Sequence, residues 1–150
     1  KTELIYLNND LLIKLIANTS YVLSTNQVAT SENDNSKGRQ LIFTPRYNGQ
    51  ATLIIKYKNI NVLFNYNYTG YRFTSTDNTS WVSPYYISNL KCSYDYSFST
   101  INTQLFFSLN NLFNKNYVII PNKPMPLRNY EIGISINYKQ QKKKIETSNY

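Results

Sequence analysis

The sequence predicts an all-β protein, in which an antiparallel up-and-down meander forms the last six or seven strands of a transmembrane β-barrel. Three observations lead to this prediction. Segments of about ten residues alternate between apolar and polar side chains, short and long connections follow one another in turn, and aromatic residues gather near strand ends. Such alternation is typical of strands, because successive side chains of a strand point to opposite faces.

The predicted strands follow one another along residues 1–138. A partial strand near the N-terminus precedes a turn at "NND", and the other strands are full length. Each full strand is expected to have one apolar face and one polar face. The predicted ranges are 3–7 for the partial strand and 11–23, 50–58, 60–72, 86–98, 104–110 and 131–138 for the full strands.

The last segment, "EIGISINY", shows the pattern most clearly. Its even-numbered residues are three isoleucines and Tyr138, whereas its odd-numbered residues are Glu131, Gly133, Ser135 and Asn137. Two environments suit such a strand: a soluble sheet whose apolar face covers a core, or a barrel whose apolar face contacts lipid. The pattern of the strand alone leaves both open.

The connections favour the barrel. Tight turns are predicted at "NND", "KNI" and "SFST", and long polar loops at 24–38, 74–84 and 114–127. Short turns at one end and long loops at the other are typical of outer-membrane barrels. The alternative is a soluble β-sandwich that serves as a binding or adhesin-like module.

Aromatic residues agree with the same interpretation. The chain has fifteen Tyr, seven Phe and one Trp, and many lie near predicted strand ends, such as Tyr66, Tyr68 and Tyr138. Rings at both ends of strands with aliphatic residues between them are typical of the aromatic girdles of membrane proteins.

The net charge of +8 does not indicate nucleic-acid binding. Four of the sixteen Lys and Arg residues lie in 139–150, and the others are scattered along the chain. We therefore expect 139–150 to be a basic, polar, disordered tail, and we expect no nucleic-acid partner.

No catalytic constellation is found in the sequence. It has no His and one Cys, and it contains no nucleophile elbow, no Gly-rich phosphate loop and no metal-ligand spacing. The sequence therefore predicts neither an enzyme nor a cofactor or metal site.

Four motifs in order resemble the C-terminal end of TonB-dependent outer-membrane receptors. They are "YTGYRF" (68–73), "YYISNLKCSYDYSF" (85–98), "LFFSLNNLFNKNY" (105–117) and "PMPLRNYEIGISINY" (124–138). Within the third, "NNLFNKNY" is similar to the family's N-L-F-[ND]-K-x-Y element. "PMPLRNY" is similar to the entry into its last strand, although Leu127 stands where glycine is usual.

The resemblance implies a receptor in the bacterial outer membrane that takes up a nutrient complex such as siderophore-bound iron or vitamin B12. It implies contacts with lipid, with an N-terminal plug and further strands of the same receptor, and with the TonB complex. The long loops would contact the ligand. From its place at the entrance to the last strand, the guanidinium of Arg128 could pair with a loop acid such as Asp77. The candidate ligand-facing residues are Tyr71, Arg72, Trp81, Tyr85, Tyr117, Lys123 and Arg128. For each of them, a role as an interfacial anchor or in loop packing is the alternative.

The last strand also resembles the signal that the barrel-assembly machinery recognises. The matching residues are Glu131, Gly133, Ile136 and Tyr138, although family members commonly end at the aromatic residue. The chain begins without the pattern of a secretory signal, so we expect either a cytosolic protein or a processed or truncated piece of an exported one. Six or seven strands are too few to close a barrel, and we expect them to be the end of a longer one; a split or oligomeric barrel is the alternative.

Overall fold

The computed structural model describes residues 1–29, 31–32 and 34–138, and within these ranges all regular structure is β. Seven strands form one antiparallel sheet in the order β1-β2-β3-β4-β7-β8-β9, and β5 pairs with β6 in a small separate hairpin. The predicted tail 139–150 lies outside the described residues. The strands are β1 (Thr2–Asn8), β2 (Leu11–Tyr21), β3 (Tyr47–Tyr57), β4 (Ile60–Thr69), β5 (Arg72–Phe73), β6 (Trp81–Val82), β7 (Tyr85–Phe98), β8 (Ile101–Asn110) and β9 (Asn129–Tyr138).

The predicted alternation of connections is confirmed. Two-residue turns join β1 to β2, β3 to β4 and β7 to β8, and they all lie at one end of the sheet. The first residue of each turn, Asn9, Lys58 and Ser99, has a positive φ of 43°, 51° and 52°. A positive φ at this position is typical of two-residue hairpin turns, whose twist matches that of the flanking strands.

Several strand boundaries differ from the predicted ones, and β3 and β8 begin earlier because pairing continues past the apolar pattern. β3 begins at Tyr47, which pairs with Tyr21, and β8 begins at Ile101, which pairs with Phe98. β4 ends at Thr69 instead of residue 72. The predicted loop 74–84 contains part of the β5–β6 hairpin, which the sequence analysis did not predict.

The sheet is open. β1 and β9 are its two edge strands, and no contact joins these two strands in the structure. Val82 is the single buried hydrophobic side chain among the described residues, so the sheet has no hydrophobic core of its own. The three isoleucines of β9, Ile132, Ile134 and Ile136, are 82%, 59% and 64% exposed.

One side of the sheet, here called the apolar face, is hydrophobic across all seven strands. The registers bring apolar residues of neighbouring strands side by side, as in the row that runs through Leu15, Leu53 and Phe64. Other members of this face are Leu4, Tyr6, Ile13, Ile55, Val62, Leu90, Cys92, Leu105, Phe107, Leu109, Ile132 and Ile134.

The opposite side, here called the polar face, carries cross-strand hydrogen bonds between side chains. The Asp95 carboxylate accepts bonds from Asn61 Nδ2 (2.6 Å) and Gln104 Nε2 (2.7 Å), which lie on the two flanking strands. Lys14 Nζ lies 2.5 Å from Glu3 Oε1. These contacts link side chains of neighbouring strands on the polar face.

The polar face is less uniform than predicted. Six aliphatic residues of β1–β4 and one aromatic residue of β8 lie on it. In β2 and β3 apolar residues occupy both odd-numbered and even-numbered positions, and therefore both faces of the sheet. The prediction of a wholly polar second face is wrong for the N-terminal half of the sheet. The residues are Ile5, Leu7, Leu12, Ile16, Ile54, Leu63 and Phe106.

Candidate ligand site at the loop end of the sheet

The three long connections contact one another at the end of the sheet opposite the tight turns. They are called L1 (22–46), L2 (70–84) and L3 (111–128). L1 and L2 are joined by a reciprocal pair of bonds, in which Gln40 N donates to Asn78 Oδ1 and Asn78 Nδ2 donates to Gln40 O, both at 2.9 Å. Phe43 N also donates to Phe73 O at 2.8 Å. These bonds hold L1 and L2 together.

Asn111 organises L3. Its φ is 51°, a conformation that Asn tolerates better than most residues, and it is 4% exposed. Its side chain donates to Lys115 O (2.8 Å) and Pro126 O (3.3 Å) and accepts from Lys115 N (2.8 Å). Its own N–H donates to Asn89 Oδ1 at 3.0 Å. Asn111 therefore ties both ends of L3 to the top of β7.

Arg72 connects L2 with L3. Its Nη2 donates to Val118 O at 3.0 Å, and its Cζ lies 5.3 Å from the centroid of the Tyr85 ring. Arg72 is 5% exposed, and its Nε is buried without a hydrogen-bond partner. No carboxylate forms an ion pair with it among the described residues. The guanidinium is therefore a buried cation with no negative partner.

A cleft of about 580 Å³ opens between the start of β7 and L3. Its volume lies within the range of small-molecule sites. Tyr85 and Tyr117 meet in it, with ring centroids 4.8 Å apart, and Trp81 stands exposed at its side. The lining contains no acidic residue and comprises Trp81, Val82, Ser83, Pro84, Tyr85, Lys115, Asn116, Tyr117, Val118, Pro121 and Asn122.

Two loop residues have shifted pKa values. Burial, and to a lesser degree the neighbouring Tyr85, raise the pKa of the Tyr117 hydroxyl. The hydroxyl therefore remains protonated, and able to donate a hydrogen bond, throughout the neutral range. Hydrogen bonds from the Ser75 hydroxyl and from the N–H and hydroxyl of Thr79 lower the pKa of Asp77.

The structure brings together four of the seven predicted ligand-facing residues. Trp81, Tyr85 and Tyr117 line the cleft, and Arg72 lies behind its wall, in contact with Tyr85 and the Val118 carbonyl. The others lie outside the lining. Tyr71 packs edge-on against Phe73 at 5.4 Å, and the side chains of Lys123 and Arg128 are exposed.

The expected ion pair between Arg128 and Asp77 is wrong. The Asp77 carboxylate accepts from Thr79 N (3.2 Å) and Thr79 Oγ1 (2.9 Å), and no bond joins it to Arg128. The N–H of Arg128 instead donates to Asn114 Oδ1 at 3.0 Å. Bonds within the β5–β6 hairpin satisfy the acid locally, so it has no need of a distant cation.

Sequence reasoning identified Tyr117 of L3 but missed the other L3 residues that line the cleft. Lys115, Asn116, Val118 and Pro121 line it, because the Asn111 bonds fold L3 back over the start of β7. Asn111, with its positive φ and its hydrogen bonds, lies in the quoted "NNLFNKNY" motif. This motif was the signal in the sequence for the fold of L3.

The four residues of the predicted assembly signal lie in β9. Ile136 and Tyr138 are on the apolar face, and Glu131 and Gly133 are on the polar face. Gly133 pairs with Phe106, whose ring covers it: a Cβ at position 133 would lie 2.3 Å from Phe106 Cζ. This glycine therefore has a packing role within the sheet.

A metal site is not suggested by the described residues, in which no three His, Cys, Asp or Glu side chains cluster. The same residues include no helix of the length and hydrophobicity required to cross a membrane. No protein-family model and no curated protein matches the chain.

Proposed function

We propose that this chain forms the C-terminal strands of an outer-membrane β-barrel receptor of the TonB-dependent type, which takes up a nutrient complex such as a siderophore or a cobalamin. One observation carries the proposal: a seven-stranded sheet exposes a continuous apolar face on one side and a hydrogen-bonded polar face on the other. A lipid-facing and a water-facing wall of one barrel require this arrangement.

The exposed apolar face has a high cost in water. Burial of one Ile or Leu side chain is worth about 1.5–3 kcal/mol, and the face exposes a large number of them across seven strands. Hydrocarbon removes this cost without any further protein layer. A soluble sandwich would need a second sheet over the same face, and the described residues offer only the two-stranded β5–β6 hairpin.

Strand length agrees with a membrane environment. A tilted strand needs about 9–11 residues to cross the hydrocarbon region, and β2, β3, β4, β8 and β9 have 10 or 11. On the apolar face of β9, Tyr130 and Tyr138 enclose three isoleucines. This order agrees with the proposal, in which rings would lie at the two interfaces and aliphatic groups between them.

The open edges of β1 and β9 call for additional strands. In lipid each unpaired N–H or C=O costs several kcal/mol, so a sheet with two free edges cannot remain in a membrane. We therefore propose that strands outside the described residues close the barrel, with a plug inside it and the TonB complex as the energy source.

The cleft between the start of β7 and L3 suits the receptor part of the proposal. It lies at the end of the sheet with the long loops, which in outer-membrane barrels is the extracellular end. Trp81, Tyr85 and Tyr117 then face the side from which a nutrient arrives.

The face assignment is tested with two lysine substitutions at neighbouring positions of β9. Ile134→Lys should lower the unfolding free energy of the assembled protein in lipid by about 2–4 kcal/mol, because it places a charge near the bilayer midplane. Ser135→Lys should be well tolerated, since Ser135 lines the same polar pocket as Asp95. The measurement is reversible urea unfolding in lipid vesicles.

Equal losses at the two positions would contradict the lipid contact. So would a larger loss for Ser135→Lys, which would indicate that the polar face is the covered one.

A further inference from the structure

We infer that the loop end of the polar face, together with the cleft beside it, binds a neutral, hydroxyl-rich ligand such as an oligosaccharide. The inference narrows the nutrient of the proposed receptor to an uncharged one, and it rests on that proposal for access from the outside. Three observations carry it: an uncharged wall of amide side chains, an exposed aromatic surface next to this wall, and cations whose charged groups are engaged elsewhere.

The uncharged wall is the first observation, and it is here called the amide wall. Six amide side chains of β2, β3, β4 and β7 lie on the polar face, in the half of the sheet nearer the long loops. Within these four strands, the charged residues of the polar face all lie further toward the tight turns. The amide wall consists of Asn18, Asn48, Gln50, Asn65, Asn67 and Asn89.

The amide wall has open hydrogen-bonding capacity. Asn65 Nδ2 donates to Thr52 Oγ1 at 2.9 Å and Asn67 Nδ2 donates to Asn65 Oδ1, so these amides are held in place. Asn18 and Gln50 pair across β2 and β3, and their side chains form no hydrogen bond with the described residues. Each amide offers two N–H donors and an acceptor oxygen, whereas each hydroxyl both donates and accepts. The amide wall therefore suits a ligand with many hydroxyl groups.

The aromatic surface is the second observation. Tyr85 belongs both to the cleft and to the polar face, where it pairs with Thr69 of β4, so the cleft adjoins the amide wall. Trp81 lines the same cleft as Tyr85 and Tyr117, and it is 63% exposed. A sugar ring can lay its C–H groups against such a flat apolar surface while its hydroxyls remain free to bond with amides.

The cations near the cleft are the third observation. Arg72 lies behind the wall of the cleft, where its guanidinium contacts the Tyr85 ring and the Val118 carbonyl. Lys115 Nζ lies 5.3 Å from the centroid of the Tyr86 ring, which is on the opposite face of β7 from Tyr85. No acidic residue lines the cleft. A charged ligand would lose hydration here without gaining a charged partner, a cost that a neutral ligand avoids.

The test measures binding of the assembled protein, in detergent, to an array of immobilised oligosaccharides. The array contains neutral oligomers of glucose, mannose and galactose, each beside a sulfated form of the same oligomer. At least one neutral oligomer should bind, and it should bind at least about tenfold more tightly than its sulfated form, because the sulfate loses hydration without gaining a partner.

Substitutions locate the site, with the neutral oligomer that binds most tightly as the probe in calorimetric titration. Trp81→Ala should weaken binding by about tenfold through the loss of stacking surface. Gln50→Ala should weaken it by about threefold, as expected for one hydrogen bond. Two matched controls should leave it unchanged: Phe113→Ala, which removes an exposed L3 ring outside the cleft lining, and Asn102→Ala, which removes a polar-face amide near the tight turns. If Trp81→Ala does not assemble, Gln50→Ala and the array decide.

The inference is overturned if no neutral oligomer binds, if the sulfated forms bind as tightly as the neutral ones, or if the controls weaken binding as much as Trp81→Ala and Gln50→Ala do. This failure differs from failure of the proposed function. The lysine substitutions in β9 test the membrane assignment without any ligand, and the array measures binding without transport.

Discussion

Single residues with unusual backbone or contact requirements occupy the most telling positions of this chain. Asn111 adopts a positive φ and takes part in five hydrogen bonds, and Gly133 lies under the Phe106 ring. Lys91 Nζ lies 4.3 Å from the centroid of the same ring, so Phe106 is held from both sides. Gly133 therefore has two possible roles, one in packing and one in the predicted assembly signal.

Replacement of Gly133 separates these two roles. Gly133→Ala should lower stability by about 1 kcal/mol, because the new Cβ would overlap the Phe106 ring, which has to rotate away. Adding Phe106→Leu should restore most of the loss by removing the ring. The measurement is urea unfolding of the assembled protein in lipid, together with the amount assembled in cells. Ser135→Ala, in the same strand and on the same face, is the control.

A different result would indicate that Gly133 acts in assembly. If Gly133→Ala reduces the amount assembled and Phe106→Leu does not rescue it, the glycine is needed for recognition and not for packing.

Among the structural elements, the long loops show an organisation that their polar sequences conceal. L1 and L2 are joined by the reciprocal amide bonds of Gln40 and Asn78, and L2 meets L3 through Arg72 and Val118. Gln40 is 2% exposed, which is unusual for a polar loop residue. The loops therefore pack as one cap, and the shape of the cleft depends on how L3 is held.

Loss of the Asn111 side chain should release L3. Asn111→Ala should cost about 1–3 kcal/mol, because it removes the three hydrogen bonds that the buried Asn111 side chain makes with backbone groups of Lys115 and Pro126. Asn111→Gly should cost a similar amount, since glycine permits the positive φ but makes none of the bonds. Urea unfolding gives the cost, and limited proteolysis of L3 reports its release.

The matched control is Asn110→Ala, which removes one exposed bond to Asn129 Oδ1. If Asn111→Gly behaves like the wild type, the backbone conformation and not the side-chain bonding is the reason for this residue.

For the whole molecule, the decisive feature is a large sheet that encloses no hydrophobic core among the described residues. Seven strands are joined by regular pairing, yet the described residues bury a single hydrophobic side chain, Val82. Pairing alone does not stabilise such a sheet in water, because an apolar face and two free edges remain exposed. The proposed function supplies what such a sheet lacks, namely lipid on one face and further strands at both edges.

The isolated 150-residue chain should therefore aggregate in water and stay dispersed only in detergent. Light scattering and size-exclusion chromatography check this expectation, with and without detergent above its micelle concentration. A monomer without detergent that melts in one sharp transition would contradict it and favour the soluble binding module.

Local patterns in the sequence were sufficient for the strands and their order. Alternation depends on the side-chain geometry of a strand, and the tight turns depend on two residues each, so both are encoded within short segments. This is why the seven-stranded meander and the alternation of short and long connections are confirmed, with errors limited to strand ends and to the β5–β6 hairpin. The membrane location and the receptor function remain predictions.

Only the tertiary structure placed residues from separate segments together. Arg72, Tyr85 and Tyr117 meet because the hydrogen bonds of Asn111 hold L3 folded back over the start of β7. No pattern in the sequence specifies a contact across 46 residues, such as that of Arg72 with Val118. The aliphatic patch on the polar face and the cover of Gly133 by Phe106 likewise depend on strand register. Register and loop packing are set by the sum of many weak long-range contacts, whereas strand formation follows from the alternation of neighbouring residues.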